Sequence, residues 1–275
     1  MMALIGTLIR MAFMPAHDLT YYWHNELGWD PVRTIWTRDR FSRLLWSLHT
    51  ETSERPNTDS VSGRLWDVQP LCDLLNERFA AAMRPPRDVV CDETMVAYRG
   101  QHESFRKMDD KPTNRGFLIW KLADRSGFVY HQKLCYGAAG EVNVTKNIVL
   151  SLMNPYLGEH RVVYFDSTFT SIDLLITLWN RDTYAVGKVH PIRVFPYHVR
   201  HATLKKDQFV TVQHRDYVGL SATACNFNDR RTELLSTATA LPMATVQIAP
   251  AHSEHSFPAP AVITQYNEFC GGVDE

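Results

Sequence analysis

The first third of the chain carries a helical pattern of apolar positions. Between Arg38 and His49 the apolar residues fall at helical spacing, at Phe41, Leu44, Leu45 and Leu48. The same spacing recurs further on, at Leu71, Leu74, Leu75 and Phe79. A loop rich in Ser, Thr, Pro, Asn and Asp separates the two stretches, and Pro85-Pro86 ends the second one because proline lacks an amide donor. These features predict a helical subdomain over residues 1–87.

After Pro86 the apolar runs become short and are bounded by turn residues, which is typical of strands. Three such runs predict a meander, at Val89 to Asp92, Phe117 to Leu122 and Phe128 to Tyr136. The pattern then alternates between helix and strand, at Val144 to Tyr156, Arg161 to Phe165, Ile172 to Trp179 and Tyr184 to Val189. Three strands, helix, strand, helix and strand is the order of a ribonuclease H-like fold. We therefore predict an α/β protein whose core, residues 88–190, contains a mixed sheet.

Beyond Pro191 the pattern is strand-like and irregular. Short apolar runs occur at Phe209 to Val212, Tyr217 to Ala222 and Leu234 to Thr237, ahead of a stretch rich in Pro, His and Ala. We interpret residues 191–262 as a β-rich insertion and residues 263–275 as the start of a final helix.

Three aspartates, Asp92, Asp166 and Asp274, lie in separate local contexts with gaps of 74 and 108 residues. Carboxylates gathered from distant segments suit two-metal phosphoryl transfer, in which two cations about 4 Å apart act on one phosphate. In a ribonuclease H-like order, Asp92 on the first strand and Asp166 at the end of the fourth are neighbours. Each aspartate also has a structural alternative, as a solvated strand end or a helix cap.

Charge gives no global sign of nucleic-acid binding, because the net charge is -1 and the pI is about 6.9. Two local stretches are basic, and both could contact DNA phosphates. The first contains Arg99, Arg106, Lys107, Lys111 and Arg115, and the second contains Lys188, Arg193, Arg200, Lys205 and Lys206. The alternative is that each stretch is a solvated face without a partner.

Cysteine spacing and the apolar amino terminus exclude several classes of protein. The five cysteines are odd in number and form no C-x-x-C pair, which argues against a disulfide framework or a zinc ribbon. The apolar stretch from Met1 to Met14 is too short to cross a bilayer and predicts an ordinary helix. We expect neither a membrane partner nor a small-molecule substrate.

Taken together, five segments resemble the piggyBac family of DNA transposases and the proteins derived from them. They are Asp92-Glu93-Thr94-Met95-Val96-Ala97-Tyr98-Arg99-Gly100, Lys111-Pro112-Thr113-Asn114-Arg115-Gly116, Asp166-Ser167-Thr168-Phe169-Thr170-Ser171, Leu234-Leu235-Ser236-Thr237, and Tyr266-Asn267-Glu268 running into Gly271-Gly272-Val273-Asp274. The resemblance implies that Asp92, Asp166 and Asp274 are catalytic ligands of Mg²⁺ (or Mn²⁺). It further implies a nuclear protein that acts on transposon ends and target DNA, together with a second copy of itself. The reaction would be strand cleavage by water, followed by transfer of the freed 3′-hydroxyl.

Three departures from the family pattern favour a different function. Gln101 and Leu118 stand where the family usually carries a basic residue, and only Glu275 follows Asp274. We expect from this that the 275-residue chain does not catalyse transposition as it stands. The alternative is a catalytically silent, transposase-derived module that binds DNA or another protein. An unrelated metal-dependent phosphodiesterase on the same fold is a third possibility.

Overall fold

The computed structural model describes residues 1–50, 65–98, 100–102, 104–108, 113–135, 144–227, 230–238, 245–248 and 257–270. The chain divides into two compact units, Met1–Glu54 and Arg55–Glu275. None of the helices within these described ranges is long and apolar enough to span a membrane.

The first unit is built from short helices around an aromatic core. Its elements are α1 (Met2–Phe13), a 3₁₀ helix (Leu19–Trp23), α2 (Asp30–Arg33) and α3 (Arg38–Trp46). The buried side chains are those of Leu4, Met11, Tyr22, Val32, Trp36 and Phe41. The Trp36 indole donates a hydrogen bond of 2.8 Å to the Thr7 hydroxyl, which ties α1 to the chain before α3. The helices predicted for the first fourteen residues and from Arg38 are confirmed, although α3 ends at Trp46.

The second unit consists of one large sheet with helices on both faces. Its helices are α4 (Gln69–Ala82), α5 (Val144–Met153), α6 (Ile172–Trp179), α7 (Tyr197–Arg200) and α8 (Ala261–Phe269). Its strands are β1 (Asp88–Ala97), β2 (Arg106–Lys107), β3 (Arg115–Ala123), β4 (Val129–Leu134), β5 (Val162–Phe165), β6 (Tyr184–Lys188), β7 (Gln208–Gln213), β8 (Ser221–Phe227), β9 (Arg230–Ser236), β10 (Thr245–Ile248) and β11 (Phe257–Pro260).

The strand order confirms the ribonuclease H-like prediction. β4, β3 and β1 form an antiparallel meander, β5 pairs in parallel with the other side of β1, and β6 pairs in parallel with β5. The connection from β1 to β5 contains α5, and α6 joins β5 to β6. Parallel pairing also brings the carboxyl ends of β1, β5 and β6 to one edge of the sheet, which we call the carboxyl edge.

Alternation along the central strands sends side chains into two separate cores. Val89, Cys91, Val163 and Phe165 belong to the larger core, which α5 and α6 cover through residues such as Leu152 and Leu175. Val90, Val162, Tyr164 and Val186 belong to the second core, which α8 covers through Val262, Ile263 and Tyr266. We call these the α6 face and the α8 face of the sheet.

The strands beyond β6 differ from the sequence-based expectation in their extent. β9 pairs antiparallel with β6, and β8 and β7 follow, so these strands widen the central sheet. The run predicted from Tyr217 becomes a strand only at Ser221, because the chain turns at Tyr217 to Leu220. β9 begins at Arg230, four residues before the predicted start. The prediction missed the first half of this strand because its residues are polar. The four-part division of the chain stays a prediction.

Candidate functional site

Asp92 and Asp166 occupy matching positions on the two central parallel strands. The pairing of β1 with β5 sets Cys91 opposite Phe165, so the next residue on each strand is an aspartate. Neighbouring strands lie about 4.8 Å apart, which puts the two backbones within one inter-strand step. The predicted neighbourhood of these strands is confirmed, and the catalytic role of the two residues stays a prediction.

Both aspartates project from the α8 face. Val90 and Tyr164 lie two positions before Asp92 and Asp166 and are buried in the α8-face core, and side chains two apart on a strand share a face. The buried Tyr266 on α8 lies within electrostatic range of both carboxylates. Burial raises the pKa of the Tyr266 hydroxyl, and the charges of Cys270, Asp166 and Asp92 add to the rise.

The loop after β5 holds the Asp166 carboxylate in place. The Thr168 amide donates to Asp166 Oδ1 at 2.8 Å, and the Thr168 hydroxyl lies 3.2 Å from Oδ2. The Thr170 hydroxyl donates to the Asp166 carbonyl at 2.7 Å. Ser171 caps α6 by accepting from the Leu174 amide, so Asp166 is not the cap of that helix. Each carboxylate oxygen keeps acceptor capacity for a further ligand.

The Cys91 thiol on β1 is affected by the negative charge of nearby carboxylates. Cys91 is fully buried on the α6 face. Burial raises the pKa of the Cys91 thiol well above its usual value, and Asp92, Glu93 and Asp166 raise it further. The thiol therefore stays protonated, and it is a packing residue rather than a nucleophile.

Asp274 lies outside the described residues, as do Arg99 and Lys111. Within the ranges that the structure describes, no three His, Cys, Asp or Glu side chains form a group that could hold a metal ion. Of the three predicted metal ligands, the structure therefore describes Asp92 and Asp166.

Several predicted DNA-contacting residues lie at the carboxyl edge. Lys188 ends β6 and is exposed, one position past Gly187, the residue opposite Phe165. Arg193 is also exposed, and its Nη2 donates to the Thr168 carbonyl at 3.3 Å, in the loop that holds Asp166. Lys205 and Lys206 precede β7, whose amino end lies at the same edge because β9, β8 and β7 alternate in direction after β6. Their role in DNA binding stays a prediction.

Arg200 makes several contacts within the protein. Its Nε donates to Glu233 Oε2 at 3.0 Å, its Nη1 donates to the carbonyls of Pro191 and Arg193, and its guanidinium lies over the Phe195 ring. These bonds fix the loop between β6 and α7. Arg115 is exposed at the start of β3, with its guanidinium 5.4 Å from the centroid of the Phe105 ring.

Sequence reasoning missed two basic residues at this site. Lys121 lies directly opposite Asp92 in the pairing of β1 with β3. Arg230 begins β9 and is exposed at the carboxyl edge. Neither lies in the two basic stretches named above, and their positions follow from strand register.

A profile of the family described as Transposase IS4 matches residues 1–275 of the chain. The chain belongs to this transposase family. The resemblance to piggyBac proteins is also confirmed. PiggyBac transposable element-derived protein 3 of Homo sapiens is 27% identical over 269 residues, covering 91% of this chain and 43% of that protein. PiggyBac transposable element-derived protein 2 of Homo sapiens is 24% identical over 205 residues, covering 69% of this chain and 33% of that protein.

Among solved structures, this chain resembles the transposase chain of a piggyBac transposase synaptic complex with hairpin DNA, determined by cryo-EM. The TM-score is 0.83 at 20% sequence identity, over 99% of this chain and 56% of that one. This similarity supports the ribonuclease H-like fold. The chain spans less than half the length of the human piggyBac-derived proteins.

Family membership implies dependence on a divalent metal ion in general, and the site's donors fit that requirement. Asp92 and Asp166 supply carboxylate oxygens from two adjacent strands, on one face and at one edge. Hard divalent cations such as Mg²⁺ prefer oxygen ligands of this kind. Asp92 lies within β1, and a rigid strand is a better support for such a ligand than a loop.

Proposed function

We propose that this chain binds DNA ends and cleaves a DNA strand at Asp92 and Asp166, as the catalytic region of a piggyBac-like transposase. The observation that carries the proposal is the register of β1 and β5, which supports a shared carboxylate site at the carboxyl edge. Fold alone would not suffice, because one fold hosts many functions. Family membership over the whole chain supplies the second support.

Asp92, Asp166 and Asp274 are the residues that would hold Mg²⁺ or Mn²⁺. A divalent cation bound there would supply Lewis acidity toward a phosphate oxygen. Asp274 is assigned by the resemblance of Gly271-Gly272-Val273-Asp274 to the family motif.

The remaining predicted residues would neutralise and align the DNA backbone. Exposed cations at the carboxyl edge suit phosphate contacts, which position a strand without reading its sequence. We assign this role to Lys188, Arg193, Lys205, Lys206 and Arg115, and by resemblance to Arg99 and Lys111. Arg200 would act mainly by positioning the loop that carries Arg193, because its guanidinium is engaged with Glu233 and with loop carbonyls.

Several wider assignments belong to the same proposal. The ligands would be transposon ends and target DNA, the active form would contain a second copy of the chain, and the protein would act in the nucleus. Residues 1–87 would be a helical subdomain for dimerisation or DNA binding, residues 88–190 the catalytic core, residues 191–262 a β-rich insertion, and residues 263–275 the start of a final catalytic helix.

A catalytically silent DNA-binding or protein-interaction module is the second candidate function. The substitutions Gln101 and Leu118 favour it, because each removes a cation that the family usually places near the DNA. This candidate keeps the fold and the basic edge and dispenses with the reaction.

A strand-cleavage assay separates the two candidates. The substrate is a labelled duplex carrying the terminal repeats that flank the gene, incubated with Mg²⁺ or Mn²⁺. The proposed reaction predicts cleavage by the wild type that is lost in Asp92→Asn and in Asp166→Asn, whereas the silent module, which the departures from the family pattern favour, predicts no cleavage by any of the three. Asp173→Asn is the matched control, because Asp173 is an exposed aspartate in the first turn of α6 that pairs with Lys146. DNA binding without cleavage would favour the silent module.

A further inference from the structure

A lysine flanks the two aspartates on each side, in one row across four neighbouring strands. In the backbone register of β3 with β1, Lys121 lies opposite Asp92. Asp92 neighbours Asp166, since both follow the paired residues Cys91 and Phe165. Lys188 follows Gly187, the partner of Phe165, and so lies beside Asp166. The row therefore reads Lys121, Asp92, Asp166, Lys188.

All four side chains belong to the α8 face. Ala123 and Val186 lie two residues from Lys121 and Lys188, and both are buried in the same core as Val90 and Tyr164. Because side chains alternate strictly along a strand, Lys121 and Lys188 leave the sheet on the side from which the aspartates leave it. The four side chains thus line one surface, and α8 covers part of it through Tyr266.

The two lysine ammonium groups have no protein partner within the described part of the chain. Lys188 is exposed and Lys121 is half-buried, with burial lowering the pKa of its ammonium. Two other lysines in the same unit are paired: Lys146 contacts Asp173 at 2.6 Å, and Lys133 donates to the Ser151 hydroxyl at 3.4 Å. Burying an ammonium is costly unless an anion or acceptor meets it. A partly buried lysine without such a partner points to an anion that arrives from outside the protein.

The length of the row fits a nucleic-acid strand. Three inter-strand steps of about 4.8 Å separate the Cα atoms of Lys121 and Lys188 by about 14 Å. Successive phosphates of one DNA strand advance about 3.4 Å along the helix axis, so the row matches about four nucleotide steps. A strand laid along the row would have phosphates near both lysines and others between them, above the aspartates.

We propose that Lys121 and Lys188 grip the DNA phosphates on either side of the phosphate at Asp92 and Asp166, so that the strand crosses the sheet from β3 to β6. The inference rests on the proposed function only in taking DNA as the ligand. It adds Lys121 as a phosphate contact and gives the path of the strand, perpendicular to β1 and β5. The lysines act on backbone position and carry no base specificity.

The test is the salt dependence of DNA affinity for single lysine variants. The probe is a fluorescent DNA duplex with a single-stranded 3′ end, titrated at several salt concentrations without divalent metal. We expect Lys121→Gln and Lys188→Gln each to lower the slope of log affinity against log salt by about one unit, as loss of one phosphate contact does. The double variant should lose about two units, because the lysines lie about 14 Å apart and act independently.

Two controls keep the result interpretable. Lys146→Gln removes the same charge from a lysine that is paired with Asp173, and it should leave the slope unchanged. Lys121→Arg keeps the charge at the half-buried position and should restore the slope that Lys121→Gln loses. If Lys121→Gln fails to fold, Lys121→Met removes the same charge while keeping an apolar stem, and its slope is compared with that of Lys121→Arg.

Three outcomes would overturn the proposal. Slopes equal to wild type in both Gln variants would show that neither lysine touches phosphate, while DNA binding by the wild type would leave the proposed function intact. Unchanged slopes together with a raised Mn²⁺ affinity, measured by calorimetry, would instead show that the lysines are counter-ions of the aspartates. A wild-type chain that binds no DNA at low salt would contradict the proposed function itself, and this inference with it.

Discussion

Gly187 on β6 packs directly against Thr170, the residue whose hydroxyl holds the Asp166 carbonyl. A Cβ atom built on Gly187 would lie 2.3 Å from Thr170 Oγ1 and 2.6 Å from the Phe165 ring. Phe165 is buried, so its ring has little room to move away. The loop after Asp166 can therefore take its observed position only because residue 187 has no side chain.

We predict that Gly187→Ala lowers the free energy of unfolding by about 1–3 kcal/mol, the usual range for overpacking a core. It should also weaken the binding of Mn²⁺, because Thr170 can no longer hold the Asp166 loop in place. Denaturant unfolding and calorimetric metal titration measure the two effects. Gly6→Ala is the matched control, since Gly6 lies in α1 with nothing near its Cβ position. That change should stabilise the protein by about 0.5–1 kcal/mol.

The core could be predicted because each of its elements has a clear local pattern. The four apolar residues of β5 and the helical stripe of α6 are visible in the sequence, and their order suffices for the ribonuclease H-like arrangement. The first half of β9 could not be found in this way, because Arg230, Arg231 and Glu233 give it no apolar alternation. Its pairing depends on the backbone ladder to β8, which does not depend on side-chain pattern.

The candidate site was only partly predictable for a related reason. Asp92 and Asp166 each end or follow a strand that hydrophobicity identifies, so their proximity follows from strand order. Lys121 sits inside an apolar run, and its position opposite Asp92 depends on the register between β1 and β3. Register is fixed by turns and bulges between strands, and these leave little trace in single-residue patterns.

Tyr164 anchors α8 to the sheet beside the site. Its hydroxyl lies 3.0 Å from Asp88 Oδ1 and 3.1 Å from Gln265 Oε1, and its ring stacks on Phe269 with centroids 5.0 Å apart. Burial raises the pKa of the Tyr164 hydroxyl, and the charge of Asp88 raises it further, so the group stays neutral.

We predict that Tyr164→Phe lowers the free energy of unfolding by about 1 kcal/mol, the usual net value of a hydrogen bond. Hydrogen exchange should speed up in α8 more than in α6, because the lost hydroxyl contacts Gln265 of α8 and Asp88 of β1. Tyr184→Phe is the matched control, as its hydroxyl lies 3.4 Å from His160 in an exposed contact. Equal exchange rates in α8 for Tyr164→Phe and the wild type would contradict the anchoring role.

Glu159 should make the free energy of unfolding depend on pH in the acid range. Hydrogen bonding and charge from Arg161 hold the pKa of this carboxyl below its ordinary value, with Arg84 adding to the effect. Arg161 is itself buried and donates to the carbonyls of Pro85 and Pro86 just before β1. A carboxyl with a lowered pKa contributes its full stabilisation above its unfolded-state pKa, and the contribution is lost as pH falls through the folded-state pKa.

We predict that Glu159→Gln lowers the free energy of unfolding by about 1 kcal/mol at neutral pH, a modest value because Glu159 is partly exposed. The difference from wild type should shrink as pH falls below the ordinary pKa of a glutamate. Unfolding curves over a pH series measure it. Glu77→Gln on the exposed side of α4 is the control and should show no such convergence. A constant difference at all pH values would exclude the Glu159 carboxylate as the acid-labile group.

The last prediction concerns the two aspartates without metal. Like charges at matching positions of neighbouring strands destabilise a sheet, so Asp92 and Asp166 should repel each other when no cation is bound. In chelator, Asp166→Asn should therefore raise the free energy of unfolding by about 0.2–1 kcal/mol, because the amide keeps the oxygen that accepts from the Thr168 amide. Saturating Mn²⁺ should reverse the order: a metal at about a hundred times its Kd stabilises the wild type by about 2.7 kcal/mol and the variant far less. Thermal unfolding in chelator and in Mn²⁺ gives the four values needed, with Asp173→Asn as the control that shifts neither. A variant less stable than wild type in chelator would show that the Asp166 charge supports the fold, and equal gains from Mn²⁺ would remove Asp166 from the metal site.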